Sequence, residues 1–457
     1  MPIEWPRPVQ APTPVASNIA LNLLHTINFT CGGMQVALDA QRQTFSSLRV
    51  PAADIGSFDF VSPPSYGGSH RLGDVTLRVR NHDAQAFMSL SSANNPGAAV
   101  PLPAPGTLAA ANLTGTLKAP DDLRLTLSRQ YACSDAGLEM TYKLHNHGTL
   151  PLEVGAFGTA MIFETKDTQG GGRRTLVDLA GNASIVDAAI IGDHGWVSAT
   201  RMTGTGPVLL VVPASGGAAG SGVENWRRMR EASGGLHFEL MSHSKAWADN
   251  EWVNSSSQFV PPTSRHVAPG GMSLWTFKIL LSDSIRQTDD ALAAAGAAVI
   301  QAVPGYIVAT DMTNATLLVR PPSGHTIHAV APSPASAMTV GVAQPIGSKG
   351  FYSIPVRGVT PGRVALAVAF SDGSTTTAAY HVLPPLNEQL SRYGKFASTV
   401  AWYSNASDPF GRAPCVHLPH QPHTSPHLMC ISSYHPRTTR LLSPSLTRWP
   451  PQVCVGI

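Results

Sequence analysis

Hydrophobic and polar positions alternate along most of this chain. In the stretch 75–80 (VTLRVR) every second residue is apolar, and the pattern recurs at 123–127 and 138–144. Successive strand side chains point to opposite faces, so this pattern predicts strands with one buried face. The sequence SDAG at 134–137 predicts a hairpin turn between two of them. Further strands are predicted near 154–163, 208–212, 236–241 and 274–280. Residues 25–283 are therefore predicted to form one large antiparallel β-sandwich.

A helix is predicted after this sandwich. Residues 282–284 (SDS) offer N-cap oxygens, and Asp289 and Asp290 lie near the positive end of the helix dipole. The run DDALAAAGAAVIQA is rich in helix formers, and Pro304 ends it. Residues 284–303 are therefore predicted to be a linker helix packed on the sandwich.

A second β unit and a second helix are predicted further along. Residues 304–385 show alternation and a turn sequence, SDGS, which fit a small immunoglobulin-like β-sandwich. Residues 386–404 return to helical spacing. The apolar face of this helix consists of Leu390, Tyr393, Phe396, Val400 and Tyr403. A single helix cannot bury such a face, so residues 386–414 are predicted to begin a helical domain that is truncated.

The formal net charge of +3 comes from the C-terminal part of the chain. Residues 409–457 contain four arginines and no acidic residue, which leaves 27 basic and 28 acidic residues elsewhere. The sequence thus predicts neither a nucleic-acid nor a membrane partner. Prolines interrupt any period in residues 415–457, so this tail is predicted to be disordered and to arise from an unspliced intron or a shifted reading frame. Residues 1–24 are also predicted to be disordered.

The same tail contains donor atoms that could bind a metal. They belong to Cys415, His417, His420, His423, His427 and Cys430. A structural zinc site needs its ligands on a defined hairpin or helix, and here prolines interrupt the spacing. Adventitious binding of nickel or zinc is favoured over a specific site, and the sequence predicts neither a metal nor a cofactor.

The compartment is predicted to be extracellular, although no signal peptide is visible. Six Asn-x-Ser/Thr sequences, more than chance gives, favour a secreted origin with N-glycosylation. The alternative is a β-rich protein whose turns simply use Asn, Ser and Thr. Cys31 and Cys133 could pair, but two cysteines do not define a disulfide framework.

The densest cluster of polar and aromatic residues lies at 243–254 (HSKAWADNEWVN). Tryptophan faces suit the C–H surfaces of sugars, and carboxylates and amides can bind hydroxyl groups. Strand alternation would place Trp247, Asp249 and Glu251 on one face. The predicted substrate-binding residues are Trp226, Trp247, Asp249, Asn250, Glu251 and Trp252. Structural packing is the competing interpretation, and catalysis is disfavoured because carboxylates this close in sequence rarely lie on both sides of a glycosidic bond.

Two other groups were weighed against structural explanations. Trp226, Arg227 and Arg228 could bind an acidic saccharide, or could be a buried tryptophan beside surface arginines. His194, in the turn IIGDHGW, could act as an acid or base, or be structural.

Four stretches resemble a fungal and bacterial family of secreted proteins, domain of unknown function 5695. They are SHRLGDVTLRVR (69–80), SKAWADNEWVNSSS (244–257), VPGYIVATDMTNATLLV (303–319) and YGKFASTVAWYSNASDPFGRAPCV (393–416). The resemblance covers residues 25–414 and implies a galactose-mutarotase-like β-supersandwich, an immunoglobulin-like unit and an α/α toroid. Many members are labelled glycoside hydrolases by similarity only.

The resemblance implies the N-terminal part of a carbohydrate-active, glycoside-hydrolase-like protein. Its sandwich would shape a cleft for a polysaccharide or oligosaccharide, while the toroid that supplies the catalytic carboxylates would be largely missing. Whether the chain is an enzyme is therefore uncertain. The alternative is a non-enzymatic extracellular module that binds carbohydrate or protein.

Overall fold

The computed structural model of the chain is mainly β, as predicted. It describes residues 26–61, 70–81, 85–103, 106–134, 137–165, 175–214, 222–229, 237–254, 258, 260–407, 409 and 415–416. The disorder predicted for residues 1–24 falls outside this part of the chain, as does the predicted tail apart from the short strand at 415–416. None of the helices in the described part is long and apolar enough to cross a membrane.

The first unit consists of eighteen strands and two short helices. In chain order the strands are β1 (Thr26–Cys31), β2 (Met34–Asp39), β3 (Phe45–Ala52), β4 (Gly56–Asp59), β5 (Val75–Arg80), β6 (Met88–Ser91), β7 (Val100–Pro101), β8 (Ala109–Asn112), β9 (Leu125–Ser134), β10 (Gly137–Asn146), β11 (Leu152–Met161), β12 (Ser184–Ala189), β13 (Trp196–Arg201), β14 (Val208–Pro213), β15 (Asn225–Met229), β16 (His237–His243), β17 (Arg265–Val267) and β18 (Met272–Ser282). The helices are α1 (Leu176–Asn182) and α2 (Lys245–Asn250).

These strands form three antiparallel sheets around one hydrophobic core. The orders are β1-β2-β3-β4, then β12-β13-β14-β18-β10-β9-β8-β7, and β15-β16-β11-β5-β6 with β17 paired to β11. Inward side chains such as Phe45, Tyr142 and Phe157 meet in the core, where Phe157 stacks on Trp275 at a centroid distance of 4.2 Å. The alternation predicted at 75–80 is confirmed, since Val75, Leu77 and Val79 are buried in this core. The large antiparallel sandwich is thus confirmed.

The linker differs from the prediction. Helix α3 covers only Thr288–Ala294, and the residues Val299–Val303 form strand β19. The helix ends because Gly296 adopts a φ of +86°, a left-handed conformation that favours glycine. The β-branched pair Val299 and Ile300 then fits a strand better than a helix. Helix α3 still packs on the sandwich, because Leu292 contacts a cluster that includes Leu280 of β18.

The second unit is a two-sheet sandwich of the predicted size. After β19 come β20 (Ile307–Ala309), β21 (Ala315–Arg320), β22 (Ile327–Ser333), β23 (Met338–Val340), β24 (Gln344–Ile346), β25 (Phe351–Gly358), β26 (Gly362–Phe370) and β27 (Thr375–Leu383). One sheet has the order β19-β21-β25-β23 with β24 on β25, and the other has the order β20-β27-β26-β22. Leu317, Ile354 and Leu366 lie in the core between them.

The two units are joined by a loop of the first that pairs with β27 of the second. The backbone oxygen of Ile191 accepts a hydrogen bond from the Thr377 amide at 2.9 Å. The Asp193 carboxylate accepts one from the Thr375 amide at 2.8 Å. His194 is buried here, with its Nε2 2.8 Å from the Ser374 hydroxyl. The structural interpretation of His194 therefore fits its position, since it forms part of the contact between the units.

Helix α4 (Leu386–Thr399) follows the second unit, and the short strands β28 (Trp402–Tyr403) and β29 (Cys415–Val416) pair after it. The predicted apolar face is present and largely exposed, with Leu390 62% and Val400 67% exposed. Phe396 is half-buried, and the side chain of Tyr403 falls outside the described part of the chain. Among the described residues, α4 therefore has an apolar face without a packing partner.

Cys31 and Cys133 form a disulfide between β1 and β9, across a sequence separation of 102 residues. Because it closes a long loop, it restricts the unfolded chain strongly, and its removal is expected to lower the free energy of unfolding by about 4 kcal/mol. Urea unfolding of the Cys31→Ser/Cys133→Ser variant measures this loss. An unfolding midpoint equal to that of the oxidised parent would contradict the expectation.

Candidate functional site

The outer face of the six-stranded sheet has a cavity of about 700 Å³. Strands β5 and β6 bury one set of side chains in the core and present the alternate set to this cavity. Thr76, Arg78, Ser89 and Ser91 therefore line it together. The cavity wall is completed by helix α2 and by strand β15. Strand alternation thus converts the polar half of VTLRVR into part of a concave surface.

The floor of the cavity is formed by the central strand β11, whose outward residues are small. Ala156 lines the cavity directly. At Gly158, a Cβ atom would lie 2.7 Å from both Glu239 Cδ and Thr76 Oγ1, so only glycine leaves room for these groups. Glu239 is fully buried and accepts hydrogen bonds from Thr76 Oγ1, at 2.5 Å, and from Arg227 Nε. A buried carboxylate therefore fixes the arginine on β15.

Two guanidinium groups cover the ring of Trp247. Arg78 Cζ lies 3.5 Å and Arg227 Cζ 4.0 Å from the ring centroid. Arg78 also pairs with Glu251, with Nη1 2.6 Å from Oε1. Cation–π contacts and charged hydrogen bonds thus hold both arginines in place. Trp247 is a support for cations, which differs from the sugar-stacking surface that the sequence suggested.

The segment around Trp247 is a helix, which corrects the alternation expected for a strand. In helix α2 residues four apart share a face, so Trp247 and Glu251 lie together towards the cavity. Asp249 points elsewhere and pairs with Lys245 at 2.7 Å. The Asn250 side chain donates to the Ala246 carbonyl at 2.6 Å, so it caps the helix and does not line the cavity. Asp249 and Glu251 are therefore not aimed at one common atom.

The remaining predicted residues, Trp226 and Trp252, lie in different places. Trp226 faces the inside of the sandwich, where it packs against the main core and stacks on Phe238 at 5.3 Å. It is not brought together with the others. Trp252 stacks on Trp247 at 5.9 Å and lines the cavity. With Asp249, it also lines a second cavity of about 1020 Å³ on the other side of α2.

A buried polar cluster lies beneath the start of α2. Glu224 accepts hydrogen bonds from Ser244 Oγ at 2.7 Å, from the Thr263 amide at 3.0 Å, and from the Thr263 hydroxyl. His243 Nδ1 lies 2.8 Å from the same Thr263 hydroxyl. Burial raises the pKa of Glu224 to about 7 and lowers the pKa of His243 to about 4. This cluster anchors the helix that forms the cavity wall.

Sequence reasoning missed Arg78, Glu239 and Glu224 as parts of the site. A signal for Arg78 was present, because two of the family-like stretches, 69–80 and 244–257, contribute the partners Arg78 and Glu251. Glu239 and Glu224 carried no such signal, since an acidic residue in a strand is normally exposed.

No group of three or more His, Cys, Asp or Glu residues with a geometry for metal binding occurs in the described part of the chain. The metal-binding residues weighed in the tail, His417 to Cys430, fall outside that part.

The fold and this site define a β-sandwich protein of carbohydrate-related architecture. The model of a family of unknown function, DUF5695, matches residues 37–418, and the chain belongs to this family. The suspected family is therefore confirmed. No curated protein matches the sequence.

Solved structures share the fold at low sequence identity. A polysaccharide lyase superposes with a TM-score of 0.60 at 12% identity, over 83% of this chain and 51% of its own. This chain thus spans about half the length of that lyase. A putative aldose 1-epimerase from Escherichia coli K12 has a TM-score of 0.35 at 8% identity, over 56% of this chain and 99% of its own. A galactose mutarotase related enzyme from Lactobacillus acidophilus has a TM-score of 0.35 at 9% identity, over 57% and 98%.

The Glu224 cluster predicts a pH dependence of stability. Because its folded pKa is raised to about 7, the stabilising contribution of protonated Glu224 is full below the unfolded pKa and is lost as the pH rises through about 7. His243, with its lowered pKa, acts in the opposite direction and reaches its full contribution above its unfolded pKa.

Replacing Glu224→Gln removes the first effect and leaves the second. Between about pH 5 and about pH 8, the parent is expected to lose about 2 kcal/mol of unfolding free energy relative to the variant. Urea unfolding of both proteins at the two pH values measures this difference. An equal gap between parent and variant at both pH values would show that Glu224 keeps an ordinary pKa.

Proposed function

We propose that the cavity on the outer face of the six-stranded sheet binds a polysaccharide or oligosaccharide. The observation that supports this most directly is the set of groups on its walls: fixed guanidinium groups, hydroxyl groups of Thr76, Ser89 and Ser91, and the indole of Trp252. Sugars combine hydroxyl groups with apolar C–H faces, and such a mixed surface complements both. The shared fold with a polysaccharide lyase supports the same class of ligand.

The arginines are arranged to bind without reorganising. Arg227 is held by the buried Glu239, and Arg78 is held by Glu251 and by the ring of Trp247. Side chains that are already ordered lose little conformational entropy when a ligand binds. Trp247 is covered by these cations, so we assign the stacking contact with the sugar to Trp252.

The charge of the walls favours an acidic sugar. Arg78, Arg227 and Arg228 line the cavity, and Glu251 is the carboxylate among its lining residues. Guanidinium groups bind carboxylates and sulfates through paired hydrogen bonds. A uronate or sulfated saccharide is therefore expected to bind more tightly than a neutral one, with an affinity that falls as salt is added.

We infer that the sandwich forms one wall of a larger cleft in an extracellular carbohydrate-active protein. The exposed apolar face of α4 supports a helical domain that begins there and supplies the catalytic groups. The Cys31–Cys133 disulfide and the six Asn-x-Ser/Thr sequences favour a secreted protein, since disulfides persist in oxidising compartments.

Replacing Trp252→Ala tests the proposal. We expect affinity for the bound saccharide to fall about tenfold, because removal of a sugar-stacking ring costs about 1.4 kcal/mol. Binding is measured on an array of neutral glucans and acidic polyuronates, including polygalacturonate and alginate, and then by calorimetry. Trp402→Ala is the matched control, since Trp402 is 44% exposed and lies outside the cavity.

The outcomes separate the candidate functions. Binding to a saccharide that is lost in Trp252→Ala and kept in Trp402→Ala supports the proposal, provided that both variants keep the parent's melting temperature. Saccharide binding that is insensitive to Trp252 would place the site elsewhere. No saccharide binding, together with capture of a protein partner, would favour a non-enzymatic protein-binding module.

A further inference from the structure

A second cavity lies between the two units, and it is larger than the first. Its volume is about 1020 Å³. One wall belongs to the first unit and includes Trp252 and Pro261, while the other wall is the outer face of β26 and β27. On that face the side chains are small, because Ala365, Ala367 and Ala379 alternate with residues buried in the core of the second unit.

The walls of this second cavity are both apolar and polar. The tryptophan and alanine surfaces are accompanied by Asp249, Gln258, Ser333, Arg363 and Thr377. Carboxylate, amide, hydroxyl and guanidinium groups can all bond to sugar hydroxyls. The chemistry is therefore of the same kind as in the first cavity.

Helix α2 is the ridge between the two cavities. Trp247 and Glu251 face the first, and Ala248 and Asp249 face the second. Trp252, just after the helix, lines both. The cavities therefore adjoin at a single aromatic side chain.

The floor of the second cavity is held in position by the contact between the units. Thr377, which lines the cavity, donates its amide to Ile191 of the first unit at 2.9 Å. Two residues earlier on the same strand, the Thr375 amide donates to Asp193 at 2.8 Å. The two walls are thus linked by backbone hydrogen bonds, and the cavity is preformed.

From these observations we propose that the second cavity is a further subsite for the same saccharide, so that one chain of linked sugars passes Trp252 and occupies both cavities. This inference rests on the function proposed above and assigns to it an extended oligosaccharide as the preferred ligand. Pockets for a single small ligand span roughly 300–1,000 Å³, and each cavity already fills that range. A second set of contacts on a linked ligand adds affinity at little further entropic cost.

Blocking the second cavity tests the inference. Ala367 is exposed on the outer face of β26, so Ala367→Trp fills the cavity while the core residues on either side keep their places. The probes are the disaccharide and the hexasaccharide of polygalacturonate and of alginate. In the parent, the hexasaccharide is expected to bind at least about tenfold more tightly than the disaccharide. In Ala367→Trp this advantage is expected to disappear while disaccharide affinity stays unchanged.

The matched control is Ala329→Trp. Ala329 is exposed on β22 of the same sheet, next to Ala369, and does not line the cavity. This variant is expected to keep the hexasaccharide advantage. An advantage that persists in Ala367→Trp, or that is absent from the parent, would overturn the second subsite and leave the first cavity as the binding site. Failure of the parent to bind any of the four probes would overturn the proposed function and this inference together.

Discussion

The candidate site depends on one constraint: the outer face of the central strand β11 has almost no side-chain volume. A Cβ atom at Gly155 would lie 2.3 Å from Phe87 Cε1 and 2.9 Å from Ala246 Cβ, so helix α2 could not approach the sheet if this residue were larger. Gly158 leaves room for Glu239 in the same way. The inner face of the same strand carries Val154 and Phe157 in the core. One strand therefore stabilises the sandwich on one side and makes space for chemistry on the other.

Charge inside this space is balanced locally. Burying a carboxylate without a partner is costly, and Glu239 meets this requirement through Arg227 and Thr76. Glu224 has hydroxyl and amide donors but no cation, and burial accordingly raises its pKa to about 7. The difference separates two kinds of acidic residue near α2: one positions a charged wall, and the other anchors the helix.

The position of the second unit matters for the same reason. Its sheet supplies small side chains opposite Trp252, and the hydrogen bonds from Ile191 and Asp193 fix the distance between the walls. A short helix, α2, thus belongs to both cavities. The protein uses the contact between two sandwiches, rather than either one alone, to form an extended concave surface.

Much of the fold follows from the sequence alone. Period-two alternation at 75–80 predicted which side chains enter the core, because a strand exposes alternate residues to alternate faces. Local propensity was less reliable in DDALAAAGAAVIQA, where Gly296 ends the helix and Val299 joins a sheet. The apolar face of α4 was correctly read from its spacing, since it requires no knowledge of other elements.

The site divides along the same line. The sequence determined that aromatic and charged residues cluster at 243–254, because composition is local. Tertiary structure decided that this segment is helical, that Trp226 lies in the core, and that Arg78 crosses 173 residues of sequence to reach Glu251. Contacts between distant segments are set by how the sheets pack and by which small residues permit close approach, and neither is encoded in the neighbours of any one residue.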